Sequence, residues 1–106
     1  MDQSVAIADV FDVVTRFYGV SATDIRSTRR SAQVHNARCA GIYLAYKAGK
    51  DVAEIRKAFG RRDPAIIAHI CRAVAHRDAS DRRSATTLAR LMRACEGLTS
   101  RRAQER

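Results

Sequence analysis

The sequence predicts an all-α domain of about six helices with a helix-turn-helix at its centre. Composition is the first reason: 106 residues hold one proline, five glycines and no tryptophan, a balance that favours helices over sheets. Periodicity is the second. Apolar residues recur at spacings of three and four in successive segments, and no strand-like alternation runs long enough to matter. Punctuation is the third, because serine or aspartate precedes several of these segments and glycine follows them, as N-caps and C-caps do. At 46% apolar, the chain can bury the modest core of one domain. That domain is expected to span 1–100, with 101–106 as a frayed basic tail.

Helix one is expected from Val5 to Tyr18, capped by Ser4 and closed by Gly19, with Val10, Val13, Val14 and Phe17 as its buried stripe. A short helical turn follows, with Ser21 and Asp24 in a capping-box arrangement and Ile25 turned inward. Residues 26–36, which carry Arg26, Arg29 and Arg30, read as a loop. Helix three, from about Asn36 to Ala48, shows little polar face and is expected to be the central helix. Helix four runs from Asp51 to Phe59; Val52, Ile55 and Phe59 face the core, and Arg56 and Lys57 face out. Gly60 ends it. Helix five opens with Asp63 as N-cap and Pro64 in the first position, where a missing N–H costs nothing. Its inner stripe is Ile67, Ile70, Cys71 and Val74, and its outer stripe is Ala65, Ala68, His69, Arg72 and His76. Residues 78–83 break the pattern before helix six, from about Ser84 to Glu96.

Charge narrows the function. Net charge is +9, and it is unevenly placed. Residues 1–25 hold four acids and one base, a balance of −3, while 26–106 hold 19 bases and seven acids, a balance of +12. Such an excess costs self-repulsion that a polyanion relieves. No membrane partner is expected, since no stretch pairs a basic face with a strong Trp/Phe/Leu face and no apolar run is long enough to span. Nor is there a cationic start followed by an apolar run, so no secretory signal is expected. Cys39, Cys71 and Cys95 are odd in number and lack ligand spacing, which suits free, buried thiols in a reducing cytoplasm and not a zinc site. The histidines form no catalytic set, and no phosphate cradle, GxSxG or HExxH occurs. No catalytic residue, metal or cofactor is expected.

Double-stranded DNA is the expected partner. Residues 51–77 form a helix-turn-helix with Arg61 and Arg62 at its corner. Helix five would enter the major groove. Small Ala65 and Ala68 allow close approach, Ala65 suits a thymine methyl, and Asp63 suits a cytosine amino group as well as a cap. His69 and Arg72 share the outward face, and Pro64 stands at the helix start. Arg29 and Arg30 lie on a polar segment of the kind that enters a narrow minor groove. Arg38 is expected on a phosphate, with Lys57 and its basic neighbours adding sequence-blind contacts.

Taken in order, these residues resemble the C-terminal DNA-binding domain of the bacterial replication initiator DnaA. The resemblance covers roughly residues 8–98. It rests on Phe17-Tyr18-Gly19-Val20, Asp24-Ile25, Ser27-Thr28-Arg29-Arg30-Ser31, Glu54-Ile55, Ala58-Phe59-Gly60, Arg62-Asp63 and His69-Ile70-Cys71-Arg72. It implies an all-helical domain related in shape to the Trp repressor. It places Arg30 in the minor groove, Arg38 on phosphate, and Arg62 and Asp63 at the start of the recognition helix. The departures are Pro64 and Ala65 where the family usually has histidine and threonine, Cys39 for a common glutamine, and Arg61 for the second glycine of the turn. With nothing before residue 8 to bind nucleotide, a free-standing relative without ATPase activity is expected, nucleoid-associated in the cytoplasm, regulating replication or transcription. Two other readings use the same residues: a protein-interaction module that binds an initiator, and a sequence-indifferent nucleoid protein. Helix one and helix six each offer a face for a homodimer.

Overall fold

The computed structural model describes residues 5–105. Six helices follow one another: α1 (Ile7–Tyr18), α2 (Ala22–Arg26), α3 (Ala32–Lys47), α4 (Val52–Ala58), α5 (Pro64–Ser80) and α6 (Arg82–Gln104). No strand occurs among the described residues. As its unbroken apolar content implies, α3 is the hub, and it packs against each of the other five helices. Val34 and every residue from Ala37 to Ala45 are buried.

Local chemistry sets the boundaries. The Ser21 side chain accepts from the Asp24 N–H at 3.0 Å, so the expected cap forms, and Asp51 caps α4 in the same way by accepting from the Glu54 N–H at 2.8 Å. Two expectations for α1 change. Its N-cap is Ala6, with no side-chain bond, and Ser4 lies outside the described residues. Phe17 is 52% exposed, while Phe11 takes the expected core place. Phe11 stacks on Phe59 with ring centroids 4.7 Å apart. Gly41 makes that possible, because a Cβ there would sit 2.9 Å from the Phe59 ring. In α4, Ile55 and Phe59 are fully buried but Val52 is 41% exposed, since it opens the helix at the rim of the core.

The largest differences lie at helix starts and ends. Helix α3 begins at Ala32, not Asn36, because Ser31 caps it by accepting from the Val34 N–H at 3.3 Å. The basic loop therefore shrinks to 27–31. At 78–83 the expected break reduces to a single residue, Asp81. It ends α5 and caps α6, accepting from the Arg83 N–H and, at 2.8 Å, from the Ser84 hydroxyl. Helix α6 then passes through Gly97 to Gln104, so residues 101–104, expected to fray, are helical. What holds them is Asp9, a buried acid on α1. Its carboxylate accepts from the Thr99 hydroxyl at 2.6 Å and from the Arg102 guanidinium. All three cysteines are free and buried, and burial raises each thiol above its ordinary pKa.

Candidate nucleic-acid interface

The turn between α4 and α5 is built on one glycine and one residue that is not glycine. Gly60 has φ +95° and Arg61 has φ +60°. Left-handed backbone is cheap for glycine and costs an L-residue about 1–2 kcal/mol, so Arg61 holds a strained conformation. Its N–H donates to the Arg56 carbonyl at 2.6 Å, and its side chain is exposed. Gly60 is required for a second reason. A Cβ there would lie 2.3 Å from the Arg26 carbonyl oxygen. The turn thus presses directly on the segment that begins the basic loop.

Guanidinium groups stitch the two segments together. Arg26 Nε donates to the Ala58 carbonyl at 3.1 Å, and its guanidinium lies 4.7 Å from the Phe11 ring centroid. From the other side, Arg62 Nη2 donates to the carbonyls of Ser27 at 2.5 Å and Ile25 at 3.3 Å. Arg56 Nε donates to the Arg62 carbonyl at 2.6 Å. The corner at 61–62 and the loop at 27–31 are therefore neighbours on one side of the molecule.

Arg38, expected on a phosphate, belongs to the same assembly and turns its side chain inward. It is 5% exposed. It donates to four main-chain carbonyls, those of Asp24, Ile25, Ser27 and Arg29, at 2.8 to 3.1 Å. The longer α3 is the cause. Starting at Ala32, it puts Arg38 two turns in, on the face toward α2. Burial, and after it the charge of Arg62, lower the Arg38 pKa. Burial lowers that of Arg62 as well, and Arg62 Nε is buried without a hydrogen-bond partner among the described residues. In both cases the acceptors are neutral carbonyls, which order the guanidinium and leave its positive charge uncancelled.

Other candidate residues face outward. Arg29 is tied back to Asp24 at 3.2 Å, whereas the exposed Arg30 has no ion-pair or hydrogen-bond partner among the described residues. Lys57, Pro64, Ala65, His69 and Arg72 are exposed, and Ala68 is partly so. Asp63 caps α5 by accepting from the Ala65 N–H at 2.8 Å. Ile66, 51% exposed at the N-terminal end of α5, was missed by the sequence reading. Its signal was that it falls outside the 67/70/71/74 stripe. Arg26, read only as part of a loop, gave no signal for its role in joining the two segments.

Fold and site together define a helix-turn-helix DNA-binding domain whose turn is braced by a basic loop. A family model described as the bacterial dnaA protein helix-turn-helix matches residues 7–74, and the chain belongs to that family. It is similar to the chromosomal replication initiator protein DnaA of Streptococcus mutans serotype c, with 36% identity over 66 residues. That match covers 61% of this chain and 15% of that protein. The DnaA proteins of Rhodopseudomonas palustris (strain BisB5) and Nitrobacter hamburgensis are each 37% identical over 71 residues, covering 66% of this chain and 15% of theirs. The chain thus spans about 15% of the length of the curated relatives it matches. No helix among the described residues is long and apolar enough to cross a membrane.

Proposed function

We propose that this chain binds duplex DNA with a sequence preference and regulates replication initiation or transcription by occupying its sites in the cytoplasmic nucleoid. Helix α5 lies in a major groove, and Arg30 reaches the adjoining minor groove. Arg29, Lys57 and Arg61 contact phosphates and sugars, which sets register without choosing bases. Arg38 and Arg62 act from behind, holding the loop carbonyls and lending their uncancelled charge to the corner. The reading assigns DNA contacts to this chain and no chemistry, ATP hydrolysis included.

One observation carries the proposal. The turn and the basic loop touch, with Gly60 against the Arg26 carbonyl and Arg62 bonded to Ser27, so both can meet the same stretch of duplex. Base preference follows from the outer face of α5. Pro64, Ala65, Ile66 and Ala68 offer carbon rather than donors and acceptors, and the thymine methyl is the apolar feature of the major groove. His69 and Arg72 supply the polar reach.

Selection of bound duplexes from a random pool, followed by titration at two ionic strengths, tests the reading. Discrete sites should emerge, and affinity should fall steeply with salt, with several ion equivalents released. Replacing thymine by deoxyuracil at the selected positions removes only the methyl and should weaken binding by about 1 kcal/mol per methyl read. A salt-independent interaction, or none, removes the proposal. Uniform protection of any duplex would favour sequence-indifferent packaging, in which the same contacts hold phosphate and nothing selects bases.

A further inference from the structure

The exposed Phe17 lies in an open groove of about 640 Å³ between α1 and α6. Its apolar surface comes from Val13 and Phe17 on α1 and from Leu91 and Leu98 on α6. Along its edges stand Arg16, Arg90, Arg93 and Arg101, against a single acid, Asp12. Asp12 is already paired with Arg16 at 3.1 Å. The other three arginines have no ion-pair partner among the described residues. No lining residue comes from α4, α5 or the 27–31 loop, so this face is separate from the DNA interface. Its α6 wall lies beyond residue 74, outside the family match.

We propose that this groove docks an acidic amphipathic helix of a partner protein. The floor selects an apolar stripe, and the unpaired arginines along α6 select carboxylates flanking that stripe on the side that meets α6. The span along α6 from Arg90 to Arg101 is about 16 Å, three turns of helix, by the rise per residue. A ridge of that length, with apolar residues at every third and fourth position, fits a furrow between two helices. Duplex DNA would satisfy the arginines but not the phenyl ring or the apolar floor. A bilayer is flat, whereas most of the apolar surface here is recessed. A second copy of the chain, at net charge +9, would set cation against cation. The DNA reading is independent of this proposal, and each can fail alone.

The test uses the whole chain and a fluorescein-labelled helical peptide of about 18 residues, with leucine on one stripe and glutamate along one flank of it. A scrambled peptide of identical composition is the control. The designed peptide should bind saturably in the micromolar range, about ten-fold more tightly than the scramble. Phe17→Ser and Arg93→Glu should each weaken it about ten-fold. Both side chains are exposed, and both variants should keep wild-type duplex affinity. A saturating duplex should leave the peptide in place. The proposal is overturned if the scramble binds equally, if either variant binds like wild type, or if duplex displaces the peptide. It is overturned equally if phosphatidylglycerol vesicles hold the protein through Phe17 while the peptide does not bind, or if Phe17→Ser abolishes a self-association seen by sedimentation.

Discussion

Two arginine-rich regions of this molecule are held in opposite ways. At the helix-turn-helix corner, Arg38 and Arg62 donate to the carbonyls of residues 24–29. At the far end of α6, Arg102 meets the carboxylate of Asp9. A carbonyl fills a donor's hydrogen-bonding capacity and leaves its charge in place; a carboxylate does both. The guanidiniums of Arg38 and Arg62 are therefore ordered and still cationic, whereas the Asp9–Arg102 pair is ordered and neutral. Arg38 and Arg62 pair with no carboxylate among the described residues and so keep a positive field at the corner, whereas the flank uses its ion pair to fasten a helix end.

Replacing Arg38 should separate the regions most strongly. Arg38→Ala strips a donor from four carbonyls and should cost about 3 kcal/mol of stability. With the loop disordered, duplex affinity should fall about 100-fold. Urea melts and duplex titrations read the two effects, and a melt that shifts while affinity holds would detach the carbonyl clamp from the DNA face.

Arg30→Ala probes the outward layer of the same corner. Affinity should drop by about 1–3 kcal/mol, and any preference for A·T-rich flanks should relax. The thermal midpoint should stay put, since Arg30 has no partner among the described residues. An equal loss on every sequence would deny it the minor groove. On the opposite flank, Asp9→Asn should lower stability by about 1–2 kcal/mol, allowing for the half-exposed Arg102, and leave duplex affinity unchanged. Weakened DNA binding in that variant would break the division between the regions.

Lys57→Ala, at an exposed site on α4, should weaken all sequences alike and reduce the salt slope by about one ion. The smallest effect involves neither set of arginines. Tyr43 on α3 donates to Asp78 on α5 at 2.7 Å. Burial, then that bond to Asp78, raises its pKa from 10.0 to about 12. Its folded form holds the proton more tightly, so its contribution is intact below about pH 10 and is lost as pH rises toward 12. Thermal melts across that window should fall more steeply for wild type than for Tyr43→Phe.

Helix identity and core faces were legible in the sequence because spacing and caps are local. Ile67, Ile70, Cys71 and Val74 are buried as read, and so is the middle of α3. Boundaries were less so. Ser31 caps a segment whose polar composition hides a helix, and the added turn sets Arg38 in the interior. Tertiary partners were invisible: nothing local says that Asp9 waits for Thr99 and Arg102, or that Phe17 stays outside while Phe11 stacks on Phe59. At the site, the sequence supplied the basic residues but not their direction. Which guanidiniums turn to carbonyls and which stay free depends on tertiary contacts, between residues 9 to 14 apart for Arg38 and 35 apart for Arg62 with Ser27.

Placement of a single duplex across both corners can be measured directly. The three native cysteines are buried, so Arg30→Cys and, separately, Ala65→Cys each offer one accessible thiol for an iron chelate that cleaves DNA nearby. On a selected site, the two probes should cut within about half a helical turn of each other, one pattern offset across a minor groove and the other across a major groove. Cuts a full turn or more apart, or cleavage from residue 65 with none from residue 30, would contradict a shared footing for loop and helix.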